Sequence, residues 1–578
     1  MQLFHYLKWF FHRYWSAYVL ALLMLVVVAI INMAIPWIIG QAIDHLLATG
    51  SLIAAKTYLF GLLLASVVVY LLRYGWRRML FGTSYRLGNI LRRHFYQRLT
   101  RQGQAFYSDH STGDLMARAT NDIDAVEVAA GEGILSGFDG LLTFVFVLIM
   151  MFVFIDWRLA ALAVLPFPFM GVGFYRLSAR IHHQFKETLN KFSTLNEQTQ
   201  QAMTGIRLIK SMGREAIEVN QFDRIAEQAA SSNYQVQRSE AKFDPIIQLS
   251  LGAALLIVLL VGGWQIHKGQ LTVGQLTSFT MYLSELIWPM YAFGWLMNIL
   301  QRGNAAIERL EELLQLPDTI ADLGQQSPDG YDLAVEKLTF HYPGNHHPNL
   351  KSISLQLEEN HTMGIAGATG AGKSTLLRLL MRYWESPEGS IRMAGVPVQN
   401  ITLQQLRARY AYVPQDAFLF STTLIENIRM GRPDATDDDV FHAAALAAIH
   451  NDILQFPEGY STVVGERGVT LSGGQRQRVS IARALISEAP ILILDDALSA
   501  VDMETEKTII GHLRQRQQQT LIIVSHRLSA IEQADEIIVL SQGAIVERGS
   551  HQQLISTDGW YSRMAAYQRM EQAMERAS

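Results

Sequence analysis

Residues 367–374 read Gly-Ala-Thr-Gly-Ala-Gly-Lys-Ser and lie between an apolar run, Met363–Ala366, and a helical pattern that begins near Thr375. Glycines allow a tight turn whose backbone N–H groups point at one anion, and the following helix adds the positive end of its dipole. In such a loop Lys373 is expected to contact the outer phosphates, and Ser374 to offer its hydroxyl to Mg²⁺. The stretch predicts a nucleotide-binding loop with these phosphate contacts: Gly367, Thr369, Gly370, Gly372, Lys373, Ser374 and Thr375. Chance can produce the same pattern in an ordinary loop, so the assignment depends on the sequence that follows.

Short β-rich runs alternate with helical patterns throughout the last 250 or so residues of the chain. This alternation is typical of an α/β domain. A polar, turn-forming stretch at 315–330 marks a linker before it, so we predict a nucleotide-binding domain over 331–578. Its motif-like stretches are, in order, Thr339–Pro343, the phosphate loop, Val413–Asp416, Gly465–Gly468, Leu471–Gln475, Ile491–Asp496, Ser499–Asp502 and Val524–Arg527.

Composition indicates what this domain is attached to. Of the 578 residues, 49% are hydrophobic and only 17% charged, and the mean hydropathy is +0.13. These values favour several domains, part of them in lipid. The formal net charge of −4 gives no indication of nucleic-acid binding. The absence of cysteine excludes disulfides, thiolate metal sites and cysteine nucleophiles.

The first half of the chain contains apolar stretches of the length, about 20 residues, that crosses a bilayer. We predict a transmembrane domain over 18–314. An amphipathic helix at 1–17 precedes it and is expected to lie on the membrane surface, with Leu3, Phe4, Leu7, Phe10 and Phe11 on its apolar face. The six predicted spans lie near 18–40, 57–77, 136–155, 159–176, 246–267 and 273–300.

Basic residues concentrate in the long connections after the second and fourth predicted spans. The positive-inside rule therefore places both connections, the N terminus and everything after residue 300 in the cytoplasm. Both connections have helical patterns with little glycine or proline, so the spans are expected to continue as long cytoplasmic helices.

Two ionisable residues fall inside predicted spans, Asp139 in the third and Glu285 in the sixth. Acidic groups in lipid are costly and are expected to face a partner, a water-filled cavity or the interior of a helix bundle. Each could contact a cationic substrate, or could instead make a structural hydrogen bond.

The motifs, in this order, resemble those of the ATP-binding cassette (ABC) exporters. The resemblance is to half-transporters that fuse one six-helix membrane domain to one cassette, and it covers nearly the whole chain. Leu471–Gln475 is a specific motif when a phosphate loop precedes it and an apolar strand ending in Asp follows it. Within the family, the chain is similar to the MdlA-like multidrug-type bacterial subunits, which pair with a different half-transporter. Stretches within 111–124 and 197–215 resemble the cytoplasmic coupling regions of the family.

The resemblance implies roles for individual residues. Tyr342 would stack on adenine, Gln415 and Asp495 would bind Mg²⁺ directly or through water, and His526 would contact the γ-phosphate and the attacking water. A second anion-binding nest at a helix start would close on the nucleotide held by the opposite subunit; its residues are Ser472, Gly473, Gly474 and Gln475. ATP and Mg²⁺ are therefore the expected cofactors.

Asp496 departs from the pattern of the family, which usually has Glu directly after the Mg²⁺-binding Asp. The shorter side chain withdraws the carboxylate by about 1 Å, and a misplacement of that size can cost about a hundredfold in rate. Local shifts could compensate for it. We favour an impaired catalytic base at this site.

The sequence therefore predicts a multidomain membrane protein. Its fold class is a six-helix transmembrane domain with long cytoplasmic helices, fused to an α/β P-loop domain with a helical subdomain. The predicted activity is ATP-driven export of hydrophobic or amphipathic compounds, drugs or lipids, across a bacterial inner membrane, as one half of a heterodimer. Peptide export, siderophore uptake by an exporter-like fold, and a nucleotide-gated channel or regulator remain alternatives.

Overall fold

The computed structural model describes residues 2–50, 52–322, 324–345, 347–386, 388–465, 471–516 and 519–577. Contacts between Cα atoms divide the chain into two compact units. The first, Met1–Thr100 with Thr112–Leu316, is built from helices, and the second, Arg101–Ser111 with Pro317–Ser578, combines helices with two sheets.

The helices before residue 316 range from 5 residues, Gln2–Tyr6, to 50 residues, Leu52–Arg101. Their turns widen into π-helical segments at Arg118–Asp122, Ala129–Gly133 and Met150–Ile155. In chain order the α-helices are α1 Gln2–Tyr6, α2 Lys8–Arg13, α3 Trp15–Thr49, α4 Leu52–Arg101, α5 Gln104–Asp109, α6 Thr112–Ala117, α7 Ile123–Val128, α8 Ile134–Ile149, α9 Trp157–Val164, α10 Phe167–Thr204, α11 Ile206–Ser211, α12 Glu215–Glu240, α13 Phe243–His267, α14 Val273–Glu285 and α15 Ile287–Gln315.

Five helical stretches in the described part of the chain are long and apolar enough to cross a membrane: Trp15–Thr49, Lys56–Arg101, Thr112–Ile155, Trp157–Thr204 and Glu215–His267. They contain the first five predicted spans. Helix α4 alone has 50 residues, or about 75 Å at the rise of an α-helix, so it extends far beyond a bilayer as expected.

The sixth predicted span, 273–300, is helical but is not among these five stretches. It is divided between α14 and α15 by a break at Leu286. Pro289 lies in the first turn of α15 and has no N–H to donate to the carbonyl of Glu285, four residues earlier. The break therefore lies beside the acidic residue predicted in this span.

The N-terminal segment differs from the expected surface helix. Leu3, Leu7 and Phe10 are fully buried within the first unit, whereas Phe4 is exposed. The backbone N–H of Leu3 donates to Oδ1 of Asn304 on α15 at 3.0 Å. Much of the apolar face assigned to the membrane surface thus packs against protein, because α15 offers both an apolar surface and a polar partner.

Helices α3 and α14 approach each other at glycines. A Cβ atom on Gly274 would lie 1.9 Å from the carbonyl oxygen of Gly40, and one on Gly40 would lie 2.5 Å from that of Gly274. Next to this contact, the Ser278 hydroxyl donates to the Pro36 carbonyl at 2.8 Å. Backbone contact and a buried hydrogen bond together fix this helix pair.

In its described residues, the second unit contains ten strands, helix α5 and the helices that follow Pro317. The helices are α16 Lys373–Leu380, α17 Leu403–Ala408, α18 Leu424–Arg429, α19 Asp437–Leu446, α20 His450–Leu454, α21 Gly473–Leu485, α22 Met503–Gln515, α23 His551–Ser556 and α24 Trp560–Ala577. The strands are β1 Leu333–Phe340, β2 Leu350–Leu357, β3 Thr362–Gly367, β4 Glu388–Met393, β5 Val396–Pro397, β6 Tyr410–Val413, β7 Ile491–Asp495, β8 Thr520–Val524, β9 Glu536–Ser541 and β10 Ala544–Gly549.

The strands form two sheets. The smaller has the order β2-β1-β4-β5 and is antiparallel. The larger has the order β10-β9-β3-β8-β7-β6, in which β9, β3, β8, β7 and β6 run parallel. Strands β7 and β8 are buried along their whole length, as expected for a sheet covered on both faces. The carboxyl ends of β3, β7 and β8 consequently meet at one edge.

Gly274→Ala tests the α3–α14 contact. The added methyl group meets backbone, which cannot rotate away, so we expect a clearly lower melting temperature and a larger aggregated fraction in detergent. Gly252→Ala is the matched control, because a Cβ atom there meets nothing within 4 Å. In a helix interior that replacement should be neutral or stabilising by about 1 kcal/mol. Equal melting temperatures for the two variants would contradict the contact.

Candidate ATP-binding and hydrolysis site

The phosphate loop connects the end of β3 to the start of α16. Gly367 and Gly372 adopt φ values of 143° and 102°. A Cβ atom on Gly372 would lie 2.9 Å from the carbonyl oxygen of Asn349, and one on Gly367 would lie 2.2 Å from that of Leu540. Both positions therefore require glycine, and the resulting turn leaves the N terminus of α16 open to an anion.

Lys373 is the first residue of α16, and its side chain turns back over the loop. Its Nζ donates to the carbonyl oxygens of Gly367 at 2.8 Å and Ala368 at 3.0 Å. Burial lowers the pKa of the ammonium, and the nearby carboxylates of Asp496 and Asp495 oppose this shift. The cation is thus held over the phosphate loop, where an outer phosphate would lie.

Asp495 ends β7 and is almost fully buried. Its two oxygens accept hydrogen bonds from the hydroxyls of Ser374 and Tyr412, each at 3.1 Å. Burial raises the pKa of this carboxyl, while these two hydrogen bonds and Arg378 lower it. A carboxylate next to a hydroxyl is an oxygen donor set that suits Mg²⁺.

Asp496 has a left-handed backbone conformation, with φ of 52°, and its N–H donates to the Val524 carbonyl at 2.9 Å. Its Oδ1 lies 2.7 Å from Nδ1 of His526. This strained backbone fixes the position from which the Asp496 side chain extends. The contact with the His526 imidazole fixes the direction of the carboxylate.

These residues surround one cavity of about 450 Å³. The catalytic and metal-binding candidates Gln415, Asp495, Asp496 and His526 all line it, together with the phosphate loop. The full lining is Asn349, Gly367, Ala368, Thr369, Gly370, Ala371, Gly372, Lys373, Ser374, Thr375, Gln415, Asp495, Asp496, Val524, His526, Trp560 and Met564.

Tyr342 is not part of this lining. Its hydroxyl lies 3.2 Å from that of Thr375, and its ring makes edge-to-face contacts with Phe340 and Trp384, each with a centroid distance of 5.1 Å. The residue thus lies beside the loop in an aromatic cluster, and its stacking on adenine stays a prediction.

The predicted second nest is also outside the cavity lining. Ser472 caps helix α21: its hydroxyl accepts from the Gln475 N–H at 3.2 Å, and the Gln475 side chain accepts from the Ser472 N–H at 3.0 Å. Gly474 passes close to the Ala500 carbonyl, which would lie 2.8 Å from a Cβ atom. Of the preceding stretch Gly465–Gly468, residues 466–468 lie outside the described part of the chain.

The two acidic candidates of the membrane unit have different surroundings. Oδ2 of Asp139 accepts a hydrogen bond from Nε1 of Trp288 at 2.9 Å, as a structural role would require. Glu285 is the last residue of α14 and is exposed in this chain. Asp244, which was not predicted from its sequence pattern, accepts a hydrogen bond from the Tyr291 hydroxyl at 2.9 Å.

Several residues at or near the nucleotide cavity were not predicted from the sequence. Tyr412 lies in β6, shortly before Gln415, and that proximity to a motif was a usable signal. Gln477 lies within α21, the signature helix, which begins in the Leu471–Gln475 motif. Its side chain bonds the Ser499 hydroxyl at 3.1 Å and the Ala500 N–H at 3.0 Å. Trp560 and Met564 come from the last helix, and nothing in their local sequence indicates a nucleotide site.

The fold and the site define a membrane-embedded ATPase of the exporter type. The family described as "ABC transporter transmembrane region" matches residues 18–290, and the family described as "ABC transporter" matches residues 350–499. The chain belongs to the ABC transporter family, and it is an ATP-hydrolysing, multi-pass membrane transporter with the exporter fold.

Individual relatives agree with this assignment over their whole length. The chain is 45% identical to "Multidrug resistance-like ATP-binding protein MdlA" of Escherichia coli (strain K12), covering 100% of this chain and 98% of the relative. It is 39% identical to "Probable multidrug resistance ABC transporter ATP-binding/permease protein YheI" of Bacillus subtilis (strain 168), covering 98% of each. Its structure matches "Structure of a bacterial Atm1-family ABC exporter with ATP bound" with a TM-score of 0.79 at 26% identity, covering 96% of this chain and 98% of the other.

Lys373→Ala should weaken ATP binding at this site, because it removes the ammonium held over the phosphate loop. The loss of a charged hydrogen bond predicts about a tenfold to hundredfold increase in Kd, or about 1.5–3 kcal/mol. Binding of a fluorescent ATP analogue measures it. Lys351→Ala, which removes an exposed lysine on β2, is the control and should bind normally. Unchanged affinity in Lys373→Ala would contradict the assignment of the loop.

Proposed function

We propose that this chain is one half of a heterodimeric exporter in a bacterial inner membrane, with its N terminus and cassette in the cytoplasm. The ATP site built on this chain holds ATP longer than it hydrolyses it, and the other site, built on the partner's phosphate loop, performs most of the turnover. The observation that carries this proposal is Asp496, where the family usually has Glu.

The geometry of Asp496 supports a weak base. Its carboxylate already contacts His526, and its short side chain starts from a constrained backbone. Proton abstraction requires the base to lie within hydrogen-bond distance of the attacking water. A short carboxylate that is already bonded to the imidazole cannot readily approach a water at the γ-phosphate. His526 would then contact the γ-phosphate without an efficient base beside it.

The remaining assignments follow from the same geometry. Lys373 and the loop amides would bind the phosphates, and Ser374, Asp495 and Gln415 would hold Mg²⁺, which when bound neutralises phosphate charge. Ser472, Gly473, Gly474 and Gln475 would complete the partner's site, since they begin a helix, whose N terminus favours an anion, and lie outside the lining of this chain's own cavity. Tyr342 would contact adenine from the edge of the loop.

The proposed substrates are hydrophobic or amphipathic compounds that include organic cations. Glu285 ends α14, Trp288, Tyr291 and Trp295 follow at helical spacing on α15, and all four are exposed in this chain. Asp139 and Asp244 bond two of these aromatics. Aromatic faces beside carboxylates attract organic cations. Carboxylates are costly in a membrane and therefore indicate a function there. The relatives named for multidrug resistance agree with this substrate class.

The asymmetry of the two ATP sites is tested by changing one base at a time in the purified pair. Replacing the partner's base with Gln should abolish most steady-state ATPase activity, whereas Asp496→Asn should reduce it only slightly. Asp496→Glu should raise the activity, because the longer side chain restores the reach of the base. Asp434→Asn, at an exposed position, is the control for the same chemical change. Equal loss in Asp496→Asn and in the partner variant would overturn the proposal.

Glu285→Gln tests the substrate assignment. Loss of the carboxylate should reduce transport of a cationic dye into inverted vesicles several-fold more than that of a neutral lipid analogue, with basal ATPase activity unchanged. Ser284→Ala is the control, since Ser284 is the exposed neighbour on the same turn. A uniform loss together with poor expression would instead show a structural role for Glu285.

A further inference from the structure

The last helix, α24, is firmly fixed at its start. The side chain of Glu547 accepts hydrogen bonds from the backbone N–H groups of Trp560 and Tyr561, the latter at 3.2 Å. Tyr561 is fully buried, and its hydroxyl lies 2.7 Å from Nδ1 of His551. A capped, anchored helix start determines which face the next two turns present.

That face is directed at the nucleotide cavity. Trp560 and Met564 line the cavity, and Gln568 lies one turn further along the same face, at the spacing that places side chains above one another. The Gln568 Nε2 donates to the carbonyl oxygen of His526 at 2.7 Å, and its Oε1 accepts from the Leu528 N–H at 3.0 Å. Only one orientation of the amide satisfies both bonds, so the side chain clamps the backbone of residues 526–528, the histidine segment.

The clamped segment contains the histidine that faces Asp496. The His526 side chain is 55% exposed, so little packing holds it, and its position depends on its backbone and on its bond to Asp496. Between the two clamped residues, the Arg527 guanidinium donates to the carbonyl oxygens of Val501 at 2.8 Å and Ser499 at 3.0 Å. The segment is therefore held from two directions, by α24 and by the loop that follows β7.

We propose that Gln568 is a positioning residue for ATP hydrolysis, which acts by fixing the backbone from which the His526 imidazole reaches Asp496 and the γ-phosphate end of the cavity. This role makes α24 part of the ATP site, because Trp560 and Met564 on the same helix line the nucleotide cavity. The inference rests on the proposed role of His526.

Gln568→Glu and Gln568→Leu are the informative variants. Glutamate keeps the acceptor for Leu528 but loses the donor and places a carboxylate against the His526 carbonyl, while leucine removes both bonds at similar size. We expect kcat at this site to fall about tenfold or more, as for a displacement on the order of 1 Å, with the KM for ATP little changed. Arg569→Ala, one residue further and exposed, is the control and should match the unaltered protein.

The measurement is phosphate release by the full transporter, as purified from membranes with its partner, in a background that combines Asp496→Glu with Gln at the partner's base, because this site then supplies the turnover. A double-mutant cycle with His526→Ala separates positioning from structure. When His526 is already alanine, Gln568→Glu should add no further loss, which a merely structural role would not predict.

The possible results distinguish the role proposed for Gln568 from the role proposed for His526. If His526→Ala lowers turnover and neither Gln568 variant does, the inference about Gln568 is wrong and the role of His526 stands. An equal loss from Gln568→Glu with and without the imidazole also overturns it. If His526→Ala leaves this turnover unchanged, the role of His526 fails and the inference fails with it.

Discussion

The ATP site depends on the parallel pairing of three adjacent strands, β3, β8 and β7. Parallel strands carry their carboxyl ends to the same edge, so the phosphate loop after β3 meets the carboxylates at the end of β7 and the histidine segment after β8, although it precedes both by more than a hundred residues. The hydrogen bond between Ser374 and Asp495 and the contact between His526 and Asp496 cross directly between these ends. Without this register, the motifs would remain isolated loops.

Side-chain hydrogen bonds then join the motifs to one another. Gln477 on the signature helix bonds Ser499 and Ala500, and Arg527 bonds Ser499 and Val501 from the other side. The loop after β7 is thus shared by the signature helix and the histidine segment. A displacement of one motif is therefore transmitted to the others through these hydrogen bonds, because each polar group has few alternative partners in a buried setting.

Different interactions hold the helices of the membrane unit together. In lipid, burial of apolar surface does not drive helices together, and close packing of small residues takes its place. The backbone contact between Gly40 and Gly274 is of this kind. The break at Leu286, beside Pro289, interrupts the regular helix where Glu285 lies, and the aromatic residues that follow bond Asp139 and Asp244. Side-chain hydrogen bonds therefore join α15 to α8 and α13 close to this break.

The sequence by itself determined the two-part architecture, five of the membrane-crossing stretches and most of the phosphate-site residues. These features depend on local patterns: apolar length, glycine spacing, and an apolar strand ending in carboxylates. The tertiary structure alone decided that Leu3, Leu7 and Phe10 are buried in protein; the polar partner of Leu3, for example, comes from a helix 300 residues away. It alone placed Tyr412 on Asp495, and Trp560, Met564 and Gln568 at the cavity and the histidine segment. Ordinary residues acquire these roles only through long-range packing, which no local pattern encodes.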